Sequence, residues 1–272
     1  MQFTPTFILL NNEASLAEGS LSIGLTSIRK ATNSTKAELY SGFFNLSIAL
    51  ERMMKLIVVV DFMLANDGSV PTKQQLKKYG HDLVSLYEST VNAGNKFEVE
   101  SVSMPSPNSI EHEILCLLSE FAKYSRYHNL DSLRDGRGSS DDPLSKWDDV
   151  IDKVIRGDAP ANKVQVALED VVRVHEHISE HTFVYQADMK GNAMSTLNAL
   201  LASAMHDLAA PYLMVRIFNL INPLTSVLSE LGTRGFYGLP DENNNARVPD
   251  FSETLVYFRK TDSEIRRKKR WP

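Results

Sequence analysis

An apolar stripe between residues 36 and 66 constrains this chain more than any other feature. Eight apolar residues follow one another at steps of three and four, which places them on one helical face: Leu39, Phe43, Leu46, Leu50, Met53, Ile57, Val60 and Leu64. The opposite face is polar at first and becomes apolar near Val58, Val59 and Met63. A helix that is apolar all round is enclosed on several sides. The segment therefore predicts a long, buried central helix.

Further helices are predicted on both sides of this segment. Apolar periodicity and capping residues indicate helices over about 13–31, 82–91, 109–124, 143–157, 162–186 and 192–221, the last kinked or split by Pro211. The stretch ETLVYF is the one candidate strand. We therefore expect an all-α multi-helix bundle. We divide the bundle into a first half, residues 1–135, and a second half, residues 136–272. The two halves either pack together as separate units or form one continuous domain.

The composition narrows the classes of protein to which the chain can belong. It is 43% hydrophobic and 23% charged with a net charge of −5, which is typical of a globular protein and argues against a surface coated with positive charge. The most apolar run, LIVVVDFMLA, contains Asp61 and is too short to cross a bilayer, so no membrane partner is expected. Cys116, the single cysteine, has no internal disulfide partner, which favours a reducing, cytoplasmic compartment.

The motif HISEH at residues 177–181 fits a zinc peptidase pattern, because His177 and His181 four residues apart would share a helix face. The surrounding pattern offers no obvious third ligand and no α/β setting. We therefore expect neither a metal site nor a cofactor here. His175 falls in an apolar stripe of the same predicted helix, where a buried, hydrogen-bonded core histidine is the expected interpretation.

Two polar segments carry the candidate catalytic residues. In KKYGHDL, Gly80 provides a turn and Asp82 suits the first turn of a helix, which leaves His81 unexplained. In SRYHNLDSL, Arg126 and His128 stand at the exit of a helix and share a site only if the chain leaves the helix between them. We expect His81 to lie near Arg126 and His128 in a polar cleft. The alternative is an exposed loop histidine without a partner.

The first half of the chain resembles the HEPN superfamily over about residues 36–135. The resemblance rests on the long helix with its E-R-x-x-K segment (Glu51, Arg52, Lys55), on the following G-H-D-L, and on SRYHNLDSL. It implies a helical bundle, usually dimeric, of a prokaryotic toxin–antitoxin or antiviral defence system. It further implies binding or cleavage of RNA without a metal ion, with a homodimer or a helical protein as partner.

The family's catalytic signature is missing from this sequence. That signature is an arginine followed by a histidine with four to six residues between them, and no arginine here meets it. If the chain is a metal-independent endoribonuclease, Arg126, His128 and His81 are the candidate catalytic residues, because histidine suits proton transfer near neutrality and arginine suits a phosphate. The alternative is a non-catalytic helical module for dimerisation or interaction.

A basic run ends the otherwise acidic chain. Within residues 265–272, five consecutive cations form a candidate RNA-binding segment: Arg266, Arg267, Lys268, Lys269 and Arg270. Like charges at this density repel, and the flanking residues offer little apolar surface, so we expect an exposed and mobile tail.

Overall fold

The computed structural model describes residues 3–100, 102–125, 128–135 and 142–272, without the side chains of Asp131, Arg134 and Asp135. Within these ranges the fold is helical with two isolated β-bridges, which confirms the predicted all-α bundle. Arg126, a predicted catalytic residue, and most of the predicted glycine-rich loop after residue 133 lie outside the described residues.

Ten α-helices are described in these ranges. They are α1 (Pro5–Lys30), α2 (Lys36–Ala65), α3 (Lys73–Lys78), α4 (Leu83–Lys96), α5 (Ile110–Lys123), α6 (His128–Asp135), α7 (Pro143–Asp158), α8 (Ala161–Ile178), α9 (Thr196–Gly238) and α10 (Asp262–Arg267). A short 3₁₀ helix (Val256–Phe258) precedes α10. None of the helices in the described ranges is long and apolar enough to span a membrane.

The predicted central helix is α2, and its bounds agree with the prediction to within one residue. Seven of the eight stripe residues are at most 2% exposed, and Leu64 is half-buried against the core. The helix contacts α1, α4, α5 and α9. It ends where Asp67 and Gly68 adopt positive φ, and the Gly68 N–H donates to the Met63 carbonyl at 2.8 Å.

The pairing of α1 with α2 is close because glycines face side chains across the contact. A Cβ added to Gly24 would lie 2.8 Å from Leu46, and one added to Gly42 would lie 2.5 Å from Ile28. The two helices are therefore in close contact at these glycines, and a larger residue at either position would require its neighbour to shift.

Local capping signals in the sequence are confirmed. Ser109 accepts a hydrogen bond from the His112 N–H and starts α5, while Asp142 accepts from the Leu144 N–H and starts α7, with Pro143 in its first turn. The first helix starts earlier than predicted, at Pro5, because Thr4 caps it by accepting from the Phe7 N–H.

Three predicted elements were wrong, each because tertiary packing overrides a local signal. Helix α9 is not split at Pro211 and runs past the predicted end near residue 221, through Pro223 to Gly238, since its buried face against the core compensates for the missing hydrogen bonds. A kink at Pro211 stays a prediction. Helix α8 ends at Ile178 instead of near residue 186, because the next residues turn back along the start of α9. The predicted strand ETLVYF forms turns and the 3₁₀ helix, because the described ranges contain no strand beside it and its Leu255 and Phe258 enter the core.

The second half of the molecule contains an exposed helical hairpin. We define the α8–α9 hairpin as residues 161–205, which comprise α8, the connecting segment and the start of α9. Val171 is the one buried residue of α8, and residues 196–205 of α9 are all half-buried or exposed. The predicted buried stripe around His175 is therefore wrong, since His175 is only half-buried at a two-helix contact.

Candidate functional site

A cleft between α1 and α2, closed on one side by the turn before α4, joins polar side chains from three elements. We call it the α1–α2 cleft, with a volume of about 470 Å³. Its lining consists of Leu10, Glu13, Ile48, Glu51, Arg52, Lys55, Leu56, Val59 and His81. We call its four apolar residues, Leu10, Ile48, Leu56 and Val59, the apolar floor, and the other five carry polar or charged side chains.

The periodicity of α2 explains why these residues face the cleft together. Ile48, Arg52, Lys55 and Val59 follow at steps of four, three and four, so they lie on one helical face. Fourteen of the thirty residues of α2 are buried, whereas these four positions are half-buried. This apolar helix accommodates Arg52 and Lys55 because the face that carries them is in contact with solvent.

His81 is held at the cleft by the turn that starts α4. Gly80 adopts a positive φ of 55°, and the Asp82 carboxylate accepts from the Val84 N–H at 3.0 Å and the Ser85 N–H at 3.2 Å. Asp82 also bonds to Ser119 and Lys123 of α5. The hydrogen bond from Lys123 lowers the pKa of Asp82 below its usual value. Asp82 therefore caps α4, as predicted, and fixes the turn that carries His81.

The His81 ring forms a dyad with Glu51. Its Nδ1 lies 2.9 Å from Glu51 Oε1, and the same oxygen accepts from Lys55 Nζ at 2.7 Å. The His81 side chain is 70% exposed and that of Glu51 only 17%. No described residue pairs with His81 Nε2. A carboxylate that accepts from Nδ1–H leaves Nε2 with its lone pair toward a ligand.

The cleft contains both acidic and basic side chains, and one rim carries an excess of positive charge. Arg52 of α2 pairs with Glu13 of α1 across the cleft, and Lys55 pairs with Glu51. The helix α3 leads to His81 and carries three exposed lysines: Lys73, Lys77 and Lys78. The sequence between Gly68 and His81 contains no acidic residue, so the rim beside His81 has an excess of positive charge.

The second predicted segment lies elsewhere on the bundle surface. His128 begins α6, its Nε2 is 3.4 Å from Ser132 Oγ, and it is not among the described residues that line the cleft. The adjacent Asn129 interacts with Tyr40, which precedes Glu51 by eleven residues on α2, about 16 Å along the axis. No described contact joins His81 to His128. A shared site that includes Arg126 stays a prediction.

The site contains residues that sequence reasoning did not assign to it. Glu51, Arg52 and Lys55 were noted only as a pattern, and Glu13 was missed. Polar residues at helical spacing inside an otherwise buried helix are the signal that could have identified the α2 members. Glu13 carries no comparable signal, because a surface helix contains many exposed carboxylates.

The motif HISEH does not form a helical pair. Helix α8 ends at Ile178, so His181 lies beyond the helix that carries His177. The Nδ1 of His177 lies 2.8 Å from the Arg173 carbonyl oxygen. In the part of the chain that the structure describes, no group of three histidine, cysteine or acidic side chains could hold a metal ion.

The predicted mobile tail is anchored to the core, which corrects the sequence interpretation. Ile265 is fully buried, and the 7%-exposed Trp271 packs against Phe218 and Phe258 with ring centroids at 4.7 Å and 6.2 Å. Cations remain exposed on this anchored segment, at Arg266, Arg267, Lys269 and Arg270, while Lys268 is half-buried over the Trp271 ring. The prediction underestimated the apolar surface that two flanking residues provide.

Comparisons of this chain with family models, curated proteins and solved structures found no match.

Proposed function

We propose that the protein binds RNA at the α1–α2 cleft and cleaves it without a metal ion, with His81 as the proton-transfer group. The observation that carries the proposal is the His81–Glu51 dyad beside two cations in one open cleft. The dyad and cations also join two segments, E-R-x-x-K and G-H-D-L, on which the resemblance to HEPN proteins rests. The proposed site therefore replaces Arg126 and His128 with Arg52 and Lys55 as partners of His81.

The chemistry required is within reach of these groups. His81 Nε2 takes the proton of a ribose 2′-hydroxyl, and the oxygen attacks the adjacent phosphorus. The bond from phosphorus to the 5′-oxygen breaks, and the leaving oxygen takes a proton from the solvent that enters the open cleft. The products are a 2′,3′-cyclic phosphate and a free 5′-hydroxyl. Arg52 and Lys55 stabilise the charge that develops on the phosphate oxygens.

The surroundings of the dyad support RNA as the ligand. A nucleobase can pack on the apolar floor, which includes Ile48 and Val59 of α2. Arg52 and Lys55 can contact the phosphates of the RNA backbone. The exposed α3 lysines, on the segment that leads to His81, add positive charge that can contact further phosphates. These features suit a single strand, whose bases are free to leave the stack.

Three histidine variants test the proposal directly. His81→Ala should lower the rate of RNA cleavage roughly 100-fold or more, as expected for a lost proton-transfer group. His128→Ala and His177→Ala serve as matched controls, because both residues are described away from the cleft, and each should leave the rate within about twofold of the wild type. A loss with His128→Ala and none with His81→Ala would place the site at the exit of α5 and overturn the proposal.

A binding function without cleavage is the second candidate, and one observation favours it. Leu9, Leu16 and Ile23 of α1 are 66%, 52% and 53% exposed and follow at intervals of seven residues. This spacing is the one at which apolar residues meet a second helix in a coiled coil. Absence of cleavage in the wild type, together with RNA-independent binding of a helical partner that Leu16→Lys abolishes, would support this helical interaction module.

A further inference from the structure

The segment that connects α8 to α9 exposes two aromatic side chains. We call residues 182–186, Thr-Phe-Val-Tyr-Gln, the edge segment. Phe183 is 87% exposed and Tyr185 is 93% exposed, the two highest values among the large hydrophobic side chains that the structure describes. Aromatic rings this exposed leave a large apolar area in water, and adjacent exposed apolar residues commonly mark an interaction site.

Side chains of the edge segment alternate between two sides. Thr182, Val184 and Gln186 line a small cavity of about 170 Å³ against α9, whereas Phe183 and Tyr185 point away from it. Alternation with a period of two is the signature of a strand. Next to it, Ala187 and Ala193 form one of the two isolated β-bridges.

One backbone edge of this segment is occupied and the other is open. The Thr182 carbonyl accepts from Thr196 Oγ1 at 3.2 Å, and the Gln186 carbonyl accepts from the Met194 N–H at 3.1 Å. Since backbone groups of a strand alternate in direction, those of Phe183 and Tyr185 face the other edge. In the described ranges neither residue has a backbone hydrogen-bond partner. At Ala187 that edge is covered, because its carbonyl accepts from Lys36 Nζ.

The sequence of the edge segment is suited to pairing with itself. Its pattern is symmetric about Val184, with an aromatic residue on each side and a polar residue beyond each aromatic. The five residues carry no charge, and threonine, phenylalanine, valine and tyrosine are favoured in strands. An open edge of this composition is a template for another strand.

We propose that two copies of this chain form a dimer by antiparallel pairing of their edge segments around a two-fold axis at Val184. Phe183 then lies opposite Tyr185 of the second copy, and the reverse pair follows from symmetry. In this register both residues present their free N–H and C=O groups to each other, which yields four backbone hydrogen bonds. The two aromatic pairs contact each other across the strands.

The area available indicates a weak dimer. Four aromatic side chains bury about 150–250 Å² each at most, which totals less than the roughly 1,200–2,000 Å² of a stable interface. We therefore expect a dimer whose population depends on protein concentration. This dimer does not depend on the proposed RNA function.

Sedimentation equilibrium over a range of concentrations tests the pairing. The wild type should shift from the chain mass of 30.5 kDa to twice that mass as concentration rises. Phe183→Asp should weaken dimerisation at least tenfold. The double variant F183D/Y185K should restore it, because each Asp then faces a Lys of the other copy in the antiparallel register. Tyr237→Asp, a change to a tyrosine that is 75% exposed at the far end of α9, is the matched control and should dimerise like the wild type.

Each of three outcomes would overturn the proposal. A wild type that stays monomeric at every concentration shows that the edge segment does not pair with itself. Equal weakening by Tyr237→Asp shows that the effect of Phe183→Asp is not specific to the edge segment. Failure of the double variant to recover, while its unfolding transition matches that of the wild type, excludes the antiparallel register.

Discussion

His206 is a buried titratable residue that the candidate site does not use. Its side chain is 5% exposed, and its Nε2 lies 4.0 Å from Asp148 Oδ1, beyond hydrogen-bonding distance. Among the described residues Nε2 has no hydrogen-bond partner. Burial lowers the pKa of His206, partly offset by the negative charges of Asp207 and Asp152. The folded chain therefore accepts this proton less readily than the unfolded chain, whose histidines titrate near pH 6.5.

The sign of the pH effect follows from this difference. As the pH falls below about 6.5, the unfolded state gains a proton that the folded state resists, so the free energy of unfolding decreases. His206→Asn removes this contribution and should flatten the decrease between about pH 7.5 and about pH 5.5, by at most about 1.4 kcal/mol per pH unit. Urea unfolding across the range measures it. His177→Asn, at an exposed histidine, is the control, and equal slopes in all three proteins would contradict the prediction.

Single residues also show how far the sequence could predict the site. The importance of His81 could be inferred, since capping explains Gly80 and Asp82 but not the histidine between them. Its partner Glu51 could not be inferred, because it lies thirty residues earlier and meets His81 only when the turn before α4 packs on α2. Side-chain pairing over that separation is a product of tertiary structure.

At the scale of elements, local signals predicted helix starts better than helix ends. Ser109 and Asp142 cap helices through bonds within their own first turns, so sequence suffices. The continuation of α9 through Pro211 depends on buried contacts with other helices, which local propensity does not contain. The same holds for the C-terminal segment, whose charge density indicated mobility but whose Trp271 anchors it.

The C-terminal segment yields a stability prediction. The Trp271 ring stacks on Phe258 and contacts Phe218, and the backbone N–H of the same residue donates to Thr26 Oγ1 at 3.0 Å. Trp271→Ala should lower the free energy of unfolding by about 3–5 kcal/mol, as other large-to-small core changes do. Arg270→Ala, at an exposed neighbour, should change it by less than about 0.5 kcal/mol. Urea denaturation compares the two, and a cost below about 1 kcal/mol for Trp271→Ala would mean that the segment is not anchored.

At the scale of the whole molecule, the cleft proposed to bind RNA and the basic segment predicted to do so lie on different flanks of α1. Glu13 borders the α1–α2 cleft, while Thr26 contacts the C-terminal segment. Thirteen residues rotate a helix by about 140° relative to its starting direction. The exposed stripe of Leu9, Leu16 and Ile23 lies between these two directions. A strand bound in the cleft would have to cross this apolar stripe to reach the basic segment.

This separation predicts that the two regions act independently. Replacing the exposed cations Arg267, Lys269 and Arg270 with alanine should leave the RNA affinity within about twofold and the salt slope unchanged. Arg52→Ala should weaken binding and reduce the salt slope by about 0.7 for a single strand. Titrations of a labelled single-stranded RNA at several salt concentrations distinguish the two. A larger loss from the triple variant would show that the basic segment, and not the cleft, holds the RNA.

The prolines of α9 have a mechanical consequence for the dimer. Pro211 lacks the N–H that would bond to the Asp207 carbonyl, and it stands where α9 passes from the exposed hairpin, with no buried residue over 196–205, into the core. A helix bends most readily where one of its backbone hydrogen bonds is missing. Two bundles paired through their edge segments would therefore be connected by hairpins that bend at Pro211. The distance between their two α1–α2 clefts would then vary with that bend and could match ligands of different length.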